Sequence, residues 1–233
     1  MRQLLNLLDS NRGRGAGLRA EAVGEEATVY VYDAIGVWGV EAPPFVAAVR
    51  GITAPTLNLR INSPGGDVFD ARAMKAALDD YDGKIVAYVD GLSASAASFL
   101  MMAADEIVMA EGAFVMIHNA WGLTIGNADE HRTQAGILDK VDAGIVADYV
   151  ARTGKAESDV RAWMAAETWF TAEEAVAAGF ADRVAKSKRT RDASAARWNL
   201  SAYRNAPPVV AADDVPCDRD RYDARLRLFE LMA

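Results

Sequence analysis

The stretch Gly91-Leu92-Ser93-Ala94-Ser95-Ala96-Ala97 comes just after the apolar run Ile85-Val86-Ala87-Tyr88-Val89, and His118 follows Ser95 by 23 residues. The run Ile85 to Val89 reads as a strand. The small residues after it permit a tight turn, and a helix is expected from about Ser95 to Ala104. Ser95 would then stand at the helix N-terminus, where free N–H groups and the helix dipole favour developing negative charge. The Ala96 N–H is placed there to help stabilise an oxyanion. A serine hydroxyl is a weak nucleophile until a base takes its proton, and the chain has only two histidines. His118 follows Phe114-Val115-Met116-Ile117, at the end of another expected strand, where such a base is needed. A plainer reading stands beside this one: Ser93 or Ser95 caps a buried helix, and His118 is a structural residue. His131, in Asp129-Glu130-His131-Arg132, reads as an exposed helix residue.

Strands and helices alternate on both sides of this stretch. Thr28 to Tyr32 and Leu57 to Ile61 read as strands, and Ala42 to Arg50 as a short helix with Pro43 and Pro44 in its first turn. Asp70 to Tyr81 carries apolar residues at helical spacing. Glu106 to Met109 and Ala113 to Ile117 read as short strands, and Asn127 to Arg152 as a long helix. Ser158 to Ala165 is expected to be a helix capped by Ser158. Thr171 to Ala178 is expected to be another, with Thr171 and Glu174 as a capping box and Gly179 as its stop. This alternation implies an α/β core with a mostly parallel sheet.

With 233 residues, 52% of them hydrophobic, the chain suits one sizeable domain with a tail. Its net charge of −8 argues against nucleic acid as a partner. The most apolar run, Gly91 to Ala104, is 14 residues, too short to span a membrane. Met1 to Leu8 is too short for a secretory signal and reads as a short helix before Arg12-Gly13-Arg14-Gly15. The single cysteine, Cys217, cannot form a disulfide within the chain and points to an intracellular setting. Two separated histidines and one cysteine make no metal site, so no metal is expected. Composition shifts near residue 186, where a basic run, Lys186 to Arg191, reads as a solvated linker. Tyr222 to Met232 reads as a terminal helix.

Two further places could complete a site. In Asn62-Ser63-Pro64-Gly65-Gly66-Asp67, paired glycines after a strand let backbone N–H groups approach a ligand with no Cβ in the way. A simple strand-to-helix turn accounts for them equally. Neither a Walker pattern nor Gly-x-Gly-x-x-Gly is present, so a nucleotide fits poorly. An acid that orients the histidine would complete a triad. Glu167, just before the capped helix, is a candidate, although taken alone it is an ordinary loop carboxylate.

Together these motifs resemble the Clp-type serine peptidases, and most closely the phage head-maturation (prohead) proteases of that family. The resemblance runs from about Thr28 to Val184. It rests on Asn62-Ser63-Pro64-Gly65-Gly66, Gly91 to Ala97, Val115-Met116-Ile117-His118-Asn119, and Trp169-Phe170-Thr171-Ala172-Glu173-Glu174-Ala175 with Gly179 and Asp182. It implies the Clp/crotonase-like fold, a layered α/β spiral of ββα units with a protruding strand-helix handle at about 119–153. The corresponding division is an N-terminal segment (1–24), a peptidase domain (25–185) and a C-terminal tail (186–233). The resemblance implies Ser95 as nucleophile, His118 as base, and the Gly66 and Ala96 N–H groups as oxyanion hole. Ser93 is left as a turn residue. Relatives carry an aspartate as the third member; here Glu167 stands at that position.

The implied activity is a cofactor-free serine endopeptidase, forming a homo-oligomeric ring or double ring. The implied substrate is a capsid or scaffold precursor inside the phage procapsid, in the cytoplasm of a bacterial host. Gly36-Val37-Trp38-Gly39-Val40 and Arg197-Trp198-Asn199-Leu200-Ser201-Ala202-Tyr203-Arg204 carry the phage-type part of the resemblance. One alternative is a bacterial Clp-type proteolytic subunit working in the cytoplasm with an AAA+ ATP-dependent unfoldase. Others are a crotonase-type acyl-CoA enzyme and a non-catalytic structural oligomer.

Overall fold

The computed structural model describes residues 17–37, 39–186 and 198–207. The expected helices at Met1 to Leu8 and Tyr222 to Met232, most of the basic run, and Cys217 lie outside the described residues. Within them, strands β1 (Leu18–Val23), β2 (Glu26–Val31), β3 (Thr56–Ser63), β4 (Lys84–Ala94), β5 (Glu106–Ala110) and β8 (Arg183–Ala185) lie side by side in the order β1-β2-β3-β4-β5-β8. β1 and β2 are antiparallel; the remaining neighbours in that row are parallel. The parallel pairs are joined through helices, among them α1 (Ala42–Arg50) and α2 (Val68–Asp79), as crossover connections require. Burial alternates strictly along β3, so Leu57, Leu59 and Ile61 face the core with Phe45, Met74 and Leu78. This is the α/β architecture expected of the Clp-like fold.

The expected turn at Gly91 does not form. β4 continues through Leu92, Ser93 and Ala94 and exchanges one neighbour for another. Val86–Val89 pair with β5, whereas Leu92–Ala94 pair in parallel with β6 (Phe114–Ile117). β6 also pairs antiparallel with β7 (Thr168–Thr171), so β6 and β7 branch from β4 as a small layer of the same eight-stranded sheet. Ser93 is therefore a fully buried strand residue rather than a turn residue, facing Ser63 of β3 in the ladder. The helix after it is short: α3 (Ala96–Leu100) followed by a 3-10 turn, Met101–Ala103.

Helix α4 (Ala128–Thr153) begins at a capping box formed by Asn127 and Glu130 and stops at Gly154, whose φ of 65° places it in the left-handed region. Its second half buries Val141, Ile145, Val146 and Tyr149, while its first turns are exposed. Residues 119–127 before it form no strand in the single chain. Helix α5 (Glu157–Ala165) starts one residue earlier than expected, with Ala156 and not Ser158 at the cap. Glu157 and Asp159 supply negative charge to its first turn instead. Helix α6 (Ala172–Ala178) has the expected Thr171–Glu174 capping box and ends at Gly179, φ 89°. No helix among the described residues is long and apolar enough to cross a membrane.

Candidate active site

The register of the small layer brings three distant residues to one edge. Ala94 of β4 pairs with Met116 of β6, and the two strands run parallel, so Ser95 and His118 emerge side by side. Ile117 pairs with Thr168 across the antiparallel β6–β7 ladder, which puts Glu167 beside His118. Ser95 Oγ lies 2.7 Å from His118 Nε2, a hydrogen bond suited to proton transfer.

The backbone at Ser95 is in a conformation that side chains rarely adopt, φ 53° and ψ −124°. Such strain costs about 1–3 kcal/mol and persists only when the surroundings over-determine it. Four hydrogen bonds do so here. Ser95 N donates to Met116 O at 2.9 Å, and Ser95 O accepts from Ser98 N, Phe99 N and Ser98 Oγ. Ser98 Oγ is itself paired with the hydroxyl of buried Tyr149 on α4, 2.8 Å away. The long helix thus stiffens the serine turn.

Gly65 packs directly beneath that turn. A Cβ there would lie 2.6 Å from Ala94 O and 2.7 Å from Ser95 Cβ, and its φ is 91°. Gly65→Ala is therefore expected to lower stability by roughly 2–4 kcal/mol and to displace Ser95. Thermal melting with parallel labelling of the serine by a fluorophosphonate checks this; an unchanged melting point and labelling rate would contradict it. Gly66, φ 151°, bridges to Ile35, and a Cβ on it would fall 2.0 Å from Ile35 O. Gly66 and Ala96 line the same cavity as Ser95 and His118, a space of about 530 Å³. Its far wall is apolar, with Phe99, Leu138, Val141 and Ile145.

Burial pushes the His118 imidazole down to about 4, with the charge of Glu167 opposing that shift in part. At neutral pH His118 is thus uncharged, with Nε2 able to accept the Ser95 hydroxyl proton. The unfolded chain, with a histidine near 6.5, binds more protons than the folded one between about pH 4 and 6.5. Stability is therefore expected to fall as pH drops through that window, by on the order of 3 kcal/mol from this group. Urea unfolding of wild type and His118→Gln at pH 7 and pH 4.5 reads it. An equal loss in both proteins would rule His118 out as the source.

Glu167 is brought beside His118, but no hydrogen bond joins its carboxylate to the imidazole. Its Oε1 accepts from Asn205 N at 2.7 Å and from Trp169 Nε1 at 3.5 Å. Its backbone is also in the left-handed region, φ 51°. Glu167 is felt at His118 through its charge. Sequence reasoning missed the neighbours of this group that come from residues 198–207. Tyr203 packs its ring edge-on to His118, centroids 5.4 Å apart. The sign of it in the sequence was the pair of aromatics, Trp198 and Tyr203, within the stretch Arg197 to Arg204. His131 is exposed on α4, as expected. Among the described residues no group of three His, Cys, Asp or Glu could hold a metal ion.

A family model described as Clp protease matches residues 52–188, more than half of the chain. The chain belongs to the Clp protease family. It is 30% identical over 131 residues to ATP-dependent Clp protease proteolytic subunit 1 of Leifsonia xyli, covering 55% of this chain and 66% of that protein. It is 31% identical over 131 residues to the subunit of the same name from Protochlamydia amoebophila, covering 54% and 64%. Proteolytic subunit 2 of Tropheryma whipplei is 28% identical over 128 residues, 54% of this chain and 71% of that protein. The chain thus spans just under two-thirds of the length of the first two relatives.

Proposed function

We propose that the protein is a serine endopeptidase. Ser95 Oγ attacks a peptide carbonyl while its proton passes to His118 Nε2; the C–N bond then breaks and the amine leaves with that proton. Water, activated by His118 in turn, releases the acyl group from Ser95. The N–H groups of Gly66 and Ala96 would hold the oxyanion, and the negative charge of Glu167 favours the transient imidazolium. The observation that carries this reading is the 2.7 Å contact between Ser95 Oγ and an uncharged, half-buried His118 at the edge of the cavity. Incubating wild type and Ser95→Ala with unfolded polypeptides, and mapping new termini by mass spectrometry, tests it. Cleavage by wild type alone is expected; cleavage by both overturns it. A fluorophosphonate adduct on Ser95 would exclude the acyl-CoA and non-catalytic readings.

The apolar side chains Trp121, Leu123, Ile125 and Ile137 are exposed on and before the first half of α4, which supports self-assembly through this projecting segment. The Ile125→Asp, Ile137→Asp double variant is expected to have a smaller mass by light scattering than wild type. An unchanged mass would contradict assembly through these residues. Two settings remain for such a peptidase. Maturation of capsid or scaffold precursor in a phage head is supported by the resemblance of 36–40 and 197–204. Partnership with an ATP-driven unfoldase, in the bacterial cytoplasm, is supported by what the relatives are called. Precursor cleavage by the protein alone is expected under the first; a strict need for an unfoldase and ATP decides for the second.

A further inference from the structure

The family match stops at residue 188, yet residues 198–207 lie against the centre of the candidate site. Trp198, Leu200 and Tyr203 are 3%, 1% and 7% exposed, so this short segment is anchored like core. They form a separate apolar cluster with Leu92, Ala94 and Met116, the very strand residues that end in Ser95 and His118. Polar links accompany the cluster. Tyr203 OH donates to Pro64 O at 2.6 Å, on the loop that carries Gly65 and Gly66. Asn205 N donates to Glu167 Oε1 at 2.7 Å, and Asn205 Nδ2 donates to Ala166 O at 2.8 Å. The Tyr203 ring meets both His118 and Trp169 edge-on, at 5.4 and 5.9 Å.

We propose that the segment Trp198–Pro207 is a working part of the peptidase site, with Tyr203 positioning His118 and the Asn205 backbone positioning Glu167. This rests on the serine-peptidase reading of the same site. Edge-to-face packing fixes the plane of the imidazole, which the single hydrogen bond between Ser95 Oγ and Nε2 leaves free to tilt. The same ring excludes water from His118. The hydroxyl, which also lies beside Ser95, ties His118 and the glycine loop to one side chain. A carboxylate that makes no hydrogen bond to the imidazole needs another anchor to keep its charge in place, and Asn205 N–H supplies one. The groups that face His118 are Ser95, Tyr203 and Glu167, of which only Glu167 is charged at neutral pH.

The full chain carries two histidines, and exposed His131 serves as an internal reference for an NMR titration of His118. Tyr203→Ala is expected to raise the His118 midpoint from about 4 towards 6.5, as water reaches the ring. Tyr203→Phe keeps the ring and is expected to leave the midpoint in place. Fluorophosphonate labelling of Ser95 at neutral pH is expected to slow on the order of tenfold in Tyr203→Ala, with recovery in Tyr203→Phe. Asn205→Pro removes the N–H that holds Glu167 and is expected to slow labelling, whereas Asn205→Ala keeps that N–H and is expected to slow it less. Should Tyr203→Ala not fold, the Asn205 pair carries the test. An unmoved His118 midpoint in folded Tyr203→Ala overturns the proposal, as does an equal rate in Asn205→Pro and Asn205→Ala. So does faster labelling after truncation at residue 197, which would make the segment a plug. A wild type that takes no label at all defeats the serine-peptidase reading instead, and the NMR midpoints still decide the role of Tyr203.

Discussion

Ser95→Ala is expected to lower peptide hydrolysis at least about 10³-fold while leaving the fold intact, because only the hydroxyl is lost. Ser95 Oγ is bonded to His118 and lies beside the Tyr203 hydroxyl, and its removal leaves the main-chain bonds of the turn in place. The unusual backbone at Ser95, φ 53°, is held by main-chain bonds that alanine retains. Alanine tolerates that φ no better than serine, so the strain stays roughly constant across the substitution. The melting temperature should therefore stay within a few degrees of wild type while turnover disappears. Residual activity above about one part in a hundred would point to another nucleophile.

His118→Ala is expected to cost a similar factor, about 10³ to 10⁴, and Glu167→Ala far less, on the order of tenfold. The difference follows from geometry. His118 is bonded to Ser95 Oγ, while Glu167 makes no hydrogen bond to the imidazole and acts only through its charge. That charge raises the affinity of His118 for a proton against the effect of burial. Glu167→Ala should then move the acid limb of kcat/KM downward, not upward. A loss as large as that of His118→Ala would require a direct bond from Glu167 to the ring during turnover, whereas an upward move would mean that the variant admits water to the imidazole. Kinetics of both variants from about pH 3 to 9 separate these outcomes.

Much of the fold was legible because its elements carry local signals. The Ala42–Arg50 helix, the Thr171 capping box and the Gly179 stop all follow from residues adjacent in sequence. β4 was read short because Gly91 and the serines look like a turn, whereas the strand runs on by exchanging one neighbour for another. That exchange is a long-range pairing with no local mark. β7 was missed for the same reason: four residues, Thr168–Thr171, gain strand form only by pairing with β6. Ser95 and His118 were found because few residue types can form such a pair, and the chain has two histidines. Glu167 was a candidate from its place before the capped helix and took the third position by resemblance, while its anchoring by Asn205 depends on a tail contact 38 residues away that no periodicity reveals.

The central claim is that His118 turns Ser95 into a nucleophile. Exposure of the intact protein to a fluorophosphonate at pH 7.5, followed by peptide mapping, tests it most directly. The account predicts a single adduct on Ser95 in wild type and almost none in His118→Ala. An adduct on another serine, such as Ser63 or Ser93, or equal labelling with and without His118, would contradict it.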